Sequence, residues 1–597
     1  MIPYGLNEEQ WNAVSCKDPA IFCHASAGAG KTRTLIARIR HLLDAGISSN
    51  NIMAATFTNK AANEMRSRLA KHYDVSNMQI STLHSMCVKI IKAFHKYTYL
   101  KIPFTIYDDS EQLSIIKTIV KSRDFIGNPY EYLKDINRAK TNDTVPEDNT
   151  CLEIYNAYQN ILRKNNSCDF EDLLLLARDC LREHPDCREH FINKWQHILV
   201  DECQDTSLIQ FSIIILLYDP PKTKTLFICA DENQSIYAFR GARPENIQDF
   251  IKNQKATVKY LTYNYRSSSE IINHANHFQQ FGKPMVPKTA TPGKVSITEF
   301  ESREDEAEKI AQTILKIINA GGDPKEIAII YRVNARSLLF EQVFTKYRIP
   351  YKLVGDCPFY QRKCTKDLLG ALKAANNPQD IESLARIINN PRRGFGDSKR
   401  EQLLLQGRPY LEAMAEDMPT IKVFLGLLES LRGLDPSQAL SEYLNQSGYL
   451  QTLTKDSDLY MVEALRDMVA NYSNVEDLIL ASNFLEHDSK EGVNLITAHA
   501  SKGLEFDNVF VVGVESGLWP HQYSEDVDEE SRLYFTACTR PRKNLNVSYS
   551  KTRNYRGTLL ECAPSPLFCK SYEKLFGRKF SYATPKFIPS LLRPTIA

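Results

Sequence analysis

The stretch "AIFCHASAGAGKTRTLIARIRHLLDAG" (20–46) constrains the fold more than any other part of the sequence. "AIFCHA" is short, apolar and strand-like. "KTRTLIARIRHLLDAG" spaces Leu35, Ile36, Ile39, Leu42 and Leu43 as one helical face, which Gly46 ends. A strand, a glycine-bearing turn and a helix place backbone N–H groups at the start of the helix, where they can cradle phosphate oxygens. Gly28 and Gly30 stand where a phosphate comes closest, Lys31 can reach the β- and γ-oxygens, and Thr32 can bind Mg²⁺. The pattern G-x-x-x-x-G-K-[ST] is met except at its first position, which is Ala25, followed by Ser26, Ala27 and Ala29.

Two further strands supply what such a loop needs. "HILVDECQD" (197–205) is apolar and ends in Asp201 and Glu202. A carboxylate at a buried strand end is costly unless it meets a cation or takes part in chemistry. Asp201 is therefore expected to hold Mg²⁺, and Glu202 to orient and deprotonate the attacking water. "TLFICADENQSIYAFRGA" (225–242) ends in Asp231 and Gln234, where a glutamine can touch the γ-phosphate. Three strand ends converging on one nucleotide predict an open parallel α/β sheet.

A chain of 597 residues is too long for one core, so several domains are expected. Net charge is only +2, so any nucleic-acid partner must meet positive charge gathered in a groove. The longest apolar run, "FSIIILLY" (211–218), is too short to span a bilayer, and "MIPYGLNEEQW" has no secretory pattern. The 14 cysteines include no C-x-x-C, and scattered thiols fit a reducing, intracellular compartment. Four pairs seven residues apart (16/23, 180/187, 357/364, 562/569) are read as coincidence, because zinc ligands usually lie closer in sequence.

Taken in order, the motifs resemble those of superfamily 1A DNA helicases of the UvrD/Rep/PcrA family. "GLNEEQWNAV", with Gln10, resembles the adenine-reading Q motif. "NIMAATFTNKAANEM" and "ISTLHSMCVKII" resemble motifs Ia and Ib. "VDECQD", "ADENQSIYAFRGA" and "LTYNYRSSSEIINHAN" resemble motifs II to IV. "VNLITAHASKGLEFDNVFVVGVESGLWPH" and "EESRLYFTACTRPRKNL" resemble motifs V and VI. Ala25 is common at its position in the family. "ASAG" is nearer the RecB/AddA branch, whose members usually continue into a nuclease domain. Only 57 residues follow Arg540, so a stand-alone motor is expected.

The resemblance implies an α/β protein of two RecA-like parallel-sheet motor domains, each with a mainly helical insertion. The first would comprise 1–96 and 168–264 with insertion 97–167. The second would comprise 265–376 and 489–597 with a shortened insertion, 377–488. ATP would lie in the cleft between them. Tyr265 and Arg33 would sandwich the adenine, Arg266 and Arg540 would reach the γ-phosphate, and Glu505 would contact ribose. Pro541 replaces the commoner alanine and is expected to shift a helix start beside Arg540. Thr56, Phe57, Asn59, His84, Phe170, Tyr237, Phe239, Arg240 and His521 match positions that hold single-stranded DNA, with Phe239 in place of the commoner tryptophan. A core position is the alternative for Phe57, Phe170 and Tyr265, and a surface ion pair for Arg266 and Arg540. Lys92, Lys96, Lys101, Arg392 and Arg393 could track phosphates or be solvated helix faces.

The expected activity is ATP-driven 3′→5′ translocation on single-stranded DNA with unwinding of 3′-tailed duplexes, about one nucleotide per ATP, in repair, replication or recombination. An alternative is a DNA-stimulated ATPase that senses DNA ends in a larger complex, as in phage defence, without unwinding alone. RNA is a weaker third substrate.

Overall fold

The computed structural model describes residues 2–220, 222–354, 362–453, 456–470, 472–475, 478, 491–522, 524, 526–555 and 558–581. The chain forms two compact units. One comprises 1–293 with 526–539, and the other 294–525 with residues from 540 on.

The first unit is built on six parallel strands: β1 (Ala20–Ala25), β2 (Ile52–Thr56), β3 (Gln79–Thr82), β4 (His197–Asp201), β5 (Thr225–Ala230) and β6 (Thr257–Leu261). Their spatial order is β3-β2-β4-β5-β1-β6. Alternate residues feed two cores, as expected where helices cover both faces. Ala20, Phe22, Ile198, Val200 and Ile228 pack on one face. They meet Leu83, Met86 and Ile90 of α4 (Leu83–Ala93), Leu173 and Ala177 of α8 (Phe170–Glu183), and Ile213 of α10 (Leu208–Leu216). Ile21, Cys23, Leu199 and Phe227 pack on the other, against Leu35 and Ile39 of α2 (Lys31–Asp44) and Met65 of α3 (Asn59–Ala70). The apolar run at 211–218 is mostly α10. Before β1 lies α1 (Glu8–Val14).

The 97–167 insertion contains α5 (Asp109–Ser122), α6 (Pro129–Thr141) and α7 (Asn149–Lys164). They enclose a core of their own: Ile116, Ile119, Leu133, Ile136, Ile154 and Tyr158.

Residues 265–293 and 526–539, expected in the second motor domain, pack with the first unit. The reason is polar stitching. Asn233 accepts from the N–H groups of Gln280 (2.7 Å) and Phe281 (2.9 Å) and donates to the Phe281 carbonyl (3.0 Å). Arg532, on the helix Val527–Cys538, donates to the Ser235 carbonyl at 2.9 Å. On the same helix, Tyr534 meets the Phe278 ring at 5.0 Å.

The second unit holds β7 (Lys294–Ser302), β8 (Ile327–Tyr331), β9 (Tyr351–Val354), β10 (Val493–Thr497), β11 (Phe506–Val511) and β12 (Pro541–Tyr555), parallel in the order β7-β12-β11-β8-β10-β9. A short antiparallel strand, β13 (Thr558–Glu561), pairs with β12. The helices of its insertion share one continuous core with the helix Lys363–Asn376, through Leu368, Leu372, Leu384, Phe424, Leu440 and Leu465. The expected helix start at Arg540 is not found. The preceding helix has ended at Cys538, and Pro541 opens β12, a position where the missing N–H is tolerated.

Among the described residues no helix is long and apolar enough to cross a membrane, and no group of three or more His, Cys, Asp or Glu is placed to hold a metal ion. Cys357 lies outside the described residues.

Candidate functional site

The loop after β1 is held by its carbonyls. Asn264 Nδ2 donates to Ala27 O (2.7 Å), the Tyr265 N–H to Gly28 O (3.0 Å), and Gln10 Nε2 to Ala29 O (3.0 Å). With the carbonyls tied on one side, the first-turn N–H groups of α2 remain without intrahelical acceptors. The first helical bond runs from Thr34 N to Gly30 O (2.9 Å). Gly28 (φ 69°) and Gly30 (φ 81°) are left-handed. A Cβ on Gly28 would lie 2.5 Å from Asn264 Nδ2, so glycine is required by both conformation and space. Ser26 Oγ is buried with no hydrogen-bond partner. An orphan hydroxyl in the loop that leads into the N-terminus of α2 fits a bound phosphate oxygen.

Lys31, first residue of α2, donates to Glu202 Oε2 at 3.2 Å. Burial alone would depress its pKa, but Glu202, Asp231 and Asp201 outweigh it and raise the value above that of a free lysine. Asp201 ends β4 and accepts the Glu202 N–H at 3.1 Å. Glu202 itself is left-handed (φ 52°), a conformation costing a non-glycine residue about 1–3 kcal/mol and typical of functional sites. Gln204, to which the sequence reading gave no role, is fully buried and bridges two strand ends. Its amide donates to Glu202 Oε2 and accepts the Asp231 N–H at 3.3 Å. Its signal in the sequence is a lone amide among carboxylates in "VDECQD". Gln234 donates to Asp231 Oδ2 at 2.5 Å. Thr32 follows Lys31 and is half-buried.

Around the expected base position, three residues are tied to the N-terminal segment. Arg33 donates to Gly5 O (2.6 Å), and Asn7 Nδ2 donates to the Tyr265 hydroxyl (2.6 Å). Tyr265 is 49% exposed, so it is not a core residue. Gln10 uses its oxygen to cap α1 (Asn7 N–H, 3.1 Å) and its nitrogen to hold the loop. In this arrangement it caps α1 and braces the loop, using one of its two amide N–H donors and one of the two lone pairs on its oxygen. Arg266 Nη1 donates to Thr539 O at 3.3 Å.

In the second unit, Arg540 is buried and donates to Leu504 O at 3.4 Å, and Glu505 meets Arg542 Nη1 at 3.3 Å. His521 is half-buried there, and its carbonyl accepts from Ser524 N at 2.9 Å.

The aromatic residues form two groups on the first unit, each with one exposed phenylalanine, Phe239 or Phe170. The Phe57 and Tyr237 rings stack at 5.5 Å with 13° between planes, and Phe239 meets Tyr237 edge-on at 6.0 Å. The Arg240 guanidinium lies 5.5 and 5.6 Å from the Tyr237 and Phe239 centroids. Phe239 is 68% exposed. Phe170, 45% exposed, meets His84 at 5.9 Å, and burial lowers the His84 pKa. Thr56 ends β2 and donates to Thr58 O at 3.0 Å, while Asn59 opens α3 on the surface. Glu529 accepts the Ala238 N–H at 2.7 Å and so holds the Phe239 turn, a role that its place in an acidic helix start did not disclose.

Of the charged patches, Arg393 is consumed internally, donating to the carbonyls of Ile387, Ile388, Pro391 and Ser447. Lys96 pairs with Asp186 at 3.4 Å.

Residues 6–255 match the UvrD/REP helicase N-terminal domain, and residues 259–420 and 438–552 match the UvrD-like helicase C-terminal domain. The chain is 33% identical to the ATP-dependent DNA helicase PcrA of Staphylococcus epidermidis, over 98% of this chain and 89% of the relative. It is 32% identical to the PcrA of Staphylococcus aureus, over 94% and 85%.

Proposed function

We propose, from the premise that this chain belongs to the UvrD/REP helicase family, that it is an ATP-dependent DNA helicase that translocates 3′→5′ on single-stranded DNA. The observation that carries the reading is one short segment, 231–240. At its start Asp231 and Gln234 share the carboxylate–lysine cluster, and at its end Phe239 presents an exposed ring beside Arg240.

Lys31 holds the β/γ-phosphate oxygens, together with the N–H groups that start α2. Thr32 offers a hydroxyl and Asp201 a carboxylate, hard oxygen donors of the kind Mg²⁺ takes one or two of while keeping several waters. Thr32 and Asp201 would hold Mg²⁺, which supplies charge neutralisation at the phosphates. Glu202, already bonded to Lys31 and Gln204, takes the proton of the attacking water. Arg266 and Arg540 neutralise charge that develops on the transferred phosphoryl group, Tyr265 and Arg33 flank the base, and Glu505 contacts ribose.

On the other side, Phe57, Tyr237, Phe239 and Phe170 offer faces to successive bases, a sequence-tolerant grip that suits a translocase. Thr56, Asn59, His84, Arg240 and His521 contact the strand beside them. Loss of the γ-phosphate frees Gln234, and the segment carries that change to the Phe239 turn. The activity is an intracellular one, cytoplasmic if the cell is prokaryotic and otherwise nuclear or organellar, in repair, replication or recombination.

The test compares unwinding of 3′-tailed, 5′-tailed and blunt duplexes by the purified chain. Unwinding of the 3′-tailed duplex alone supports the reading. A preference for 5′ tails overturns the polarity. DNA-stimulated ATP hydrolysis with no unwinding favours the end-sensing ATPase instead.

A further inference from the structure

A buried charge cluster outside the nucleotide site joins the 97–167 insertion to both aromatic groups. Lys140, penultimate in α6, is fully buried, with Nζ 2.5 Å from Asp169 Oδ2 and 2.8 Å from Asp172 Oδ1. From α7, the Tyr158 hydroxyl donates to Asp169 (2.9 Å) and Gln159 Nε2 to Asp172 (3.0 Å). Asp169 and Asp172 are the capping box of α8: Asp172 N donates to Asp169 Oδ1 at 2.8 Å, and Asp169 N to Asp172 Oδ2 at 3.4 Å. The first residue of α8 is Phe170.

The next residue of α6, Thr141, meets the other aromatic group. A Cβ on Gly241 would fall 2.2 Å from Thr141 Cγ2. Gly241 (φ 79°) donates to Ala238 O at 2.8 Å and so closes the turn that carries Phe239 and Arg240. One end of one helix thus touches the start of the Phe170 helix and the close of the Phe239 turn. A buried ion pair adds little stability over an apolar replacement, yet losing one partner is costly, so such a cluster is better suited to fixing one geometry than to strengthening a fold.

We infer that Lys140 is a positioning residue for single-stranded DNA, acting with Thr141 to seat the insertion against both base-stacking elements. The inference rests on the proposed base-stacking role of Phe170 and Phe239.

The experiment measures binding of a fluorescein-labelled oligo-dT, together with ATP hydrolysis without DNA and thermal unfolding. Lys140→Met should weaken DNA binding about five- to a hundredfold, the range for one lost base stack, and leave DNA-independent hydrolysis unchanged. In a Phe170→Ala background the same substitution should add little further loss. If Lys140→Met unfolds the insertion, the charge-neutral Lys140→Met/Asp169→Asn/Asp172→Asn variant, which keeps an N-cap at 169, replaces it with the same expected binding defect. Gly241→Ala should also weaken binding, and Thr141→Ser, which removes the colliding methyl, should recover part of it. Full additivity with Phe170→Ala, or wild-type DNA affinity in a folded Lys140 variant, overturns the inference. Wild-type affinity of Phe170→Ala itself overturns the base-stacking reading, and the inference with it.

Discussion

The two sides of the first unit proposed to face the nucleotide and the bases are built by opposite means. On the nucleotide side the groups are buried or half-buried and bonded to one another: Lys31 to Glu202, Glu202 to Gln204, Gln204 to Asp231 and Asp231 to Gln234. On the other side the exposed rings of Phe239 and Phe170 stand beside half-buried Phe57, Tyr237 and His84. A network in a low dielectric is strongly coupled, so one changed atom disturbs several partners. The rings touch as well, Phe57 on Tyr237 and Tyr237 on Phe239, but they share no buried charge, so altering the exposed Phe239 disturbs fewer partners.

The largest expected effect is on the coupled side. Glu202→Gln keeps the shape and the left-handed backbone but removes the base, and turnover should fall about 10²- to 10⁴-fold, with ATP and DNA binding retained. Near-normal turnover in steady-state hydrolysis would remove Glu202 from the chemistry.

A smaller effect belongs to the open side. Phe239→Ala removes one stack, about 1–3 kcal/mol. DNA affinity should drop several-fold to about a hundredfold, and ATP consumed per base pair opened should rise because the strand slips. An unchanged ratio would leave Phe239 without a part in coupling. Phe239→Trp should be close to neutral in the same assay, since the exposed position has room for a larger ring.

The smallest effect sharpens where the two regimes meet. Glu171 follows Phe170, and its carboxyl is pushed up to about 7, chiefly by burial and then by Asp169. The folded state therefore holds this proton more tightly than the unfolded chain, so stability falls as pH rises from about 4.5 to about 7. Glu171→Gln should flatten that part of the urea-midpoint profile. An unaltered slope would show that another group carries it.

The nucleotide side was the more legible in the sequence, for a physical reason. Buried carboxylates at the ends of apolar strands and glycines before a Lys-Thr pair are exceptional in any context, so "VDECQD" and "AGAGKT" stand out, and their strands fall at His197–Asp201 and Ala20–Ala25. What stayed hidden depends on which amide meets which carbonyl. Gln10 read as an adenine contact, and its further bonds to Asn7 and Ala29, which cap α1 and brace the loop, were not visible. Residues 265–293 read as second-unit sequence, and the Asn233 side chain ties residues 280–281 to the first. Neither bond has a periodicity to betray it. The aromatic set was legible by position, while its exposure was not, because a phenylalanine is equally at home in a core.

The segment 526–539 has a consequence for biosynthesis. It supplies the Tyr534 ring to Phe278 and the Arg532 guanidinium to the Ser235 carbonyl, yet it is made only after the ribosome has passed most of the second unit. Domains generally fold as units, N-terminal first, as the chain emerges. Here the first unit lacks one helix throughout that interval. Its Phe278 face and the 235–238 turn stay uncovered until residue 539 has emerged, so the half of the protein translated first is the half completed late.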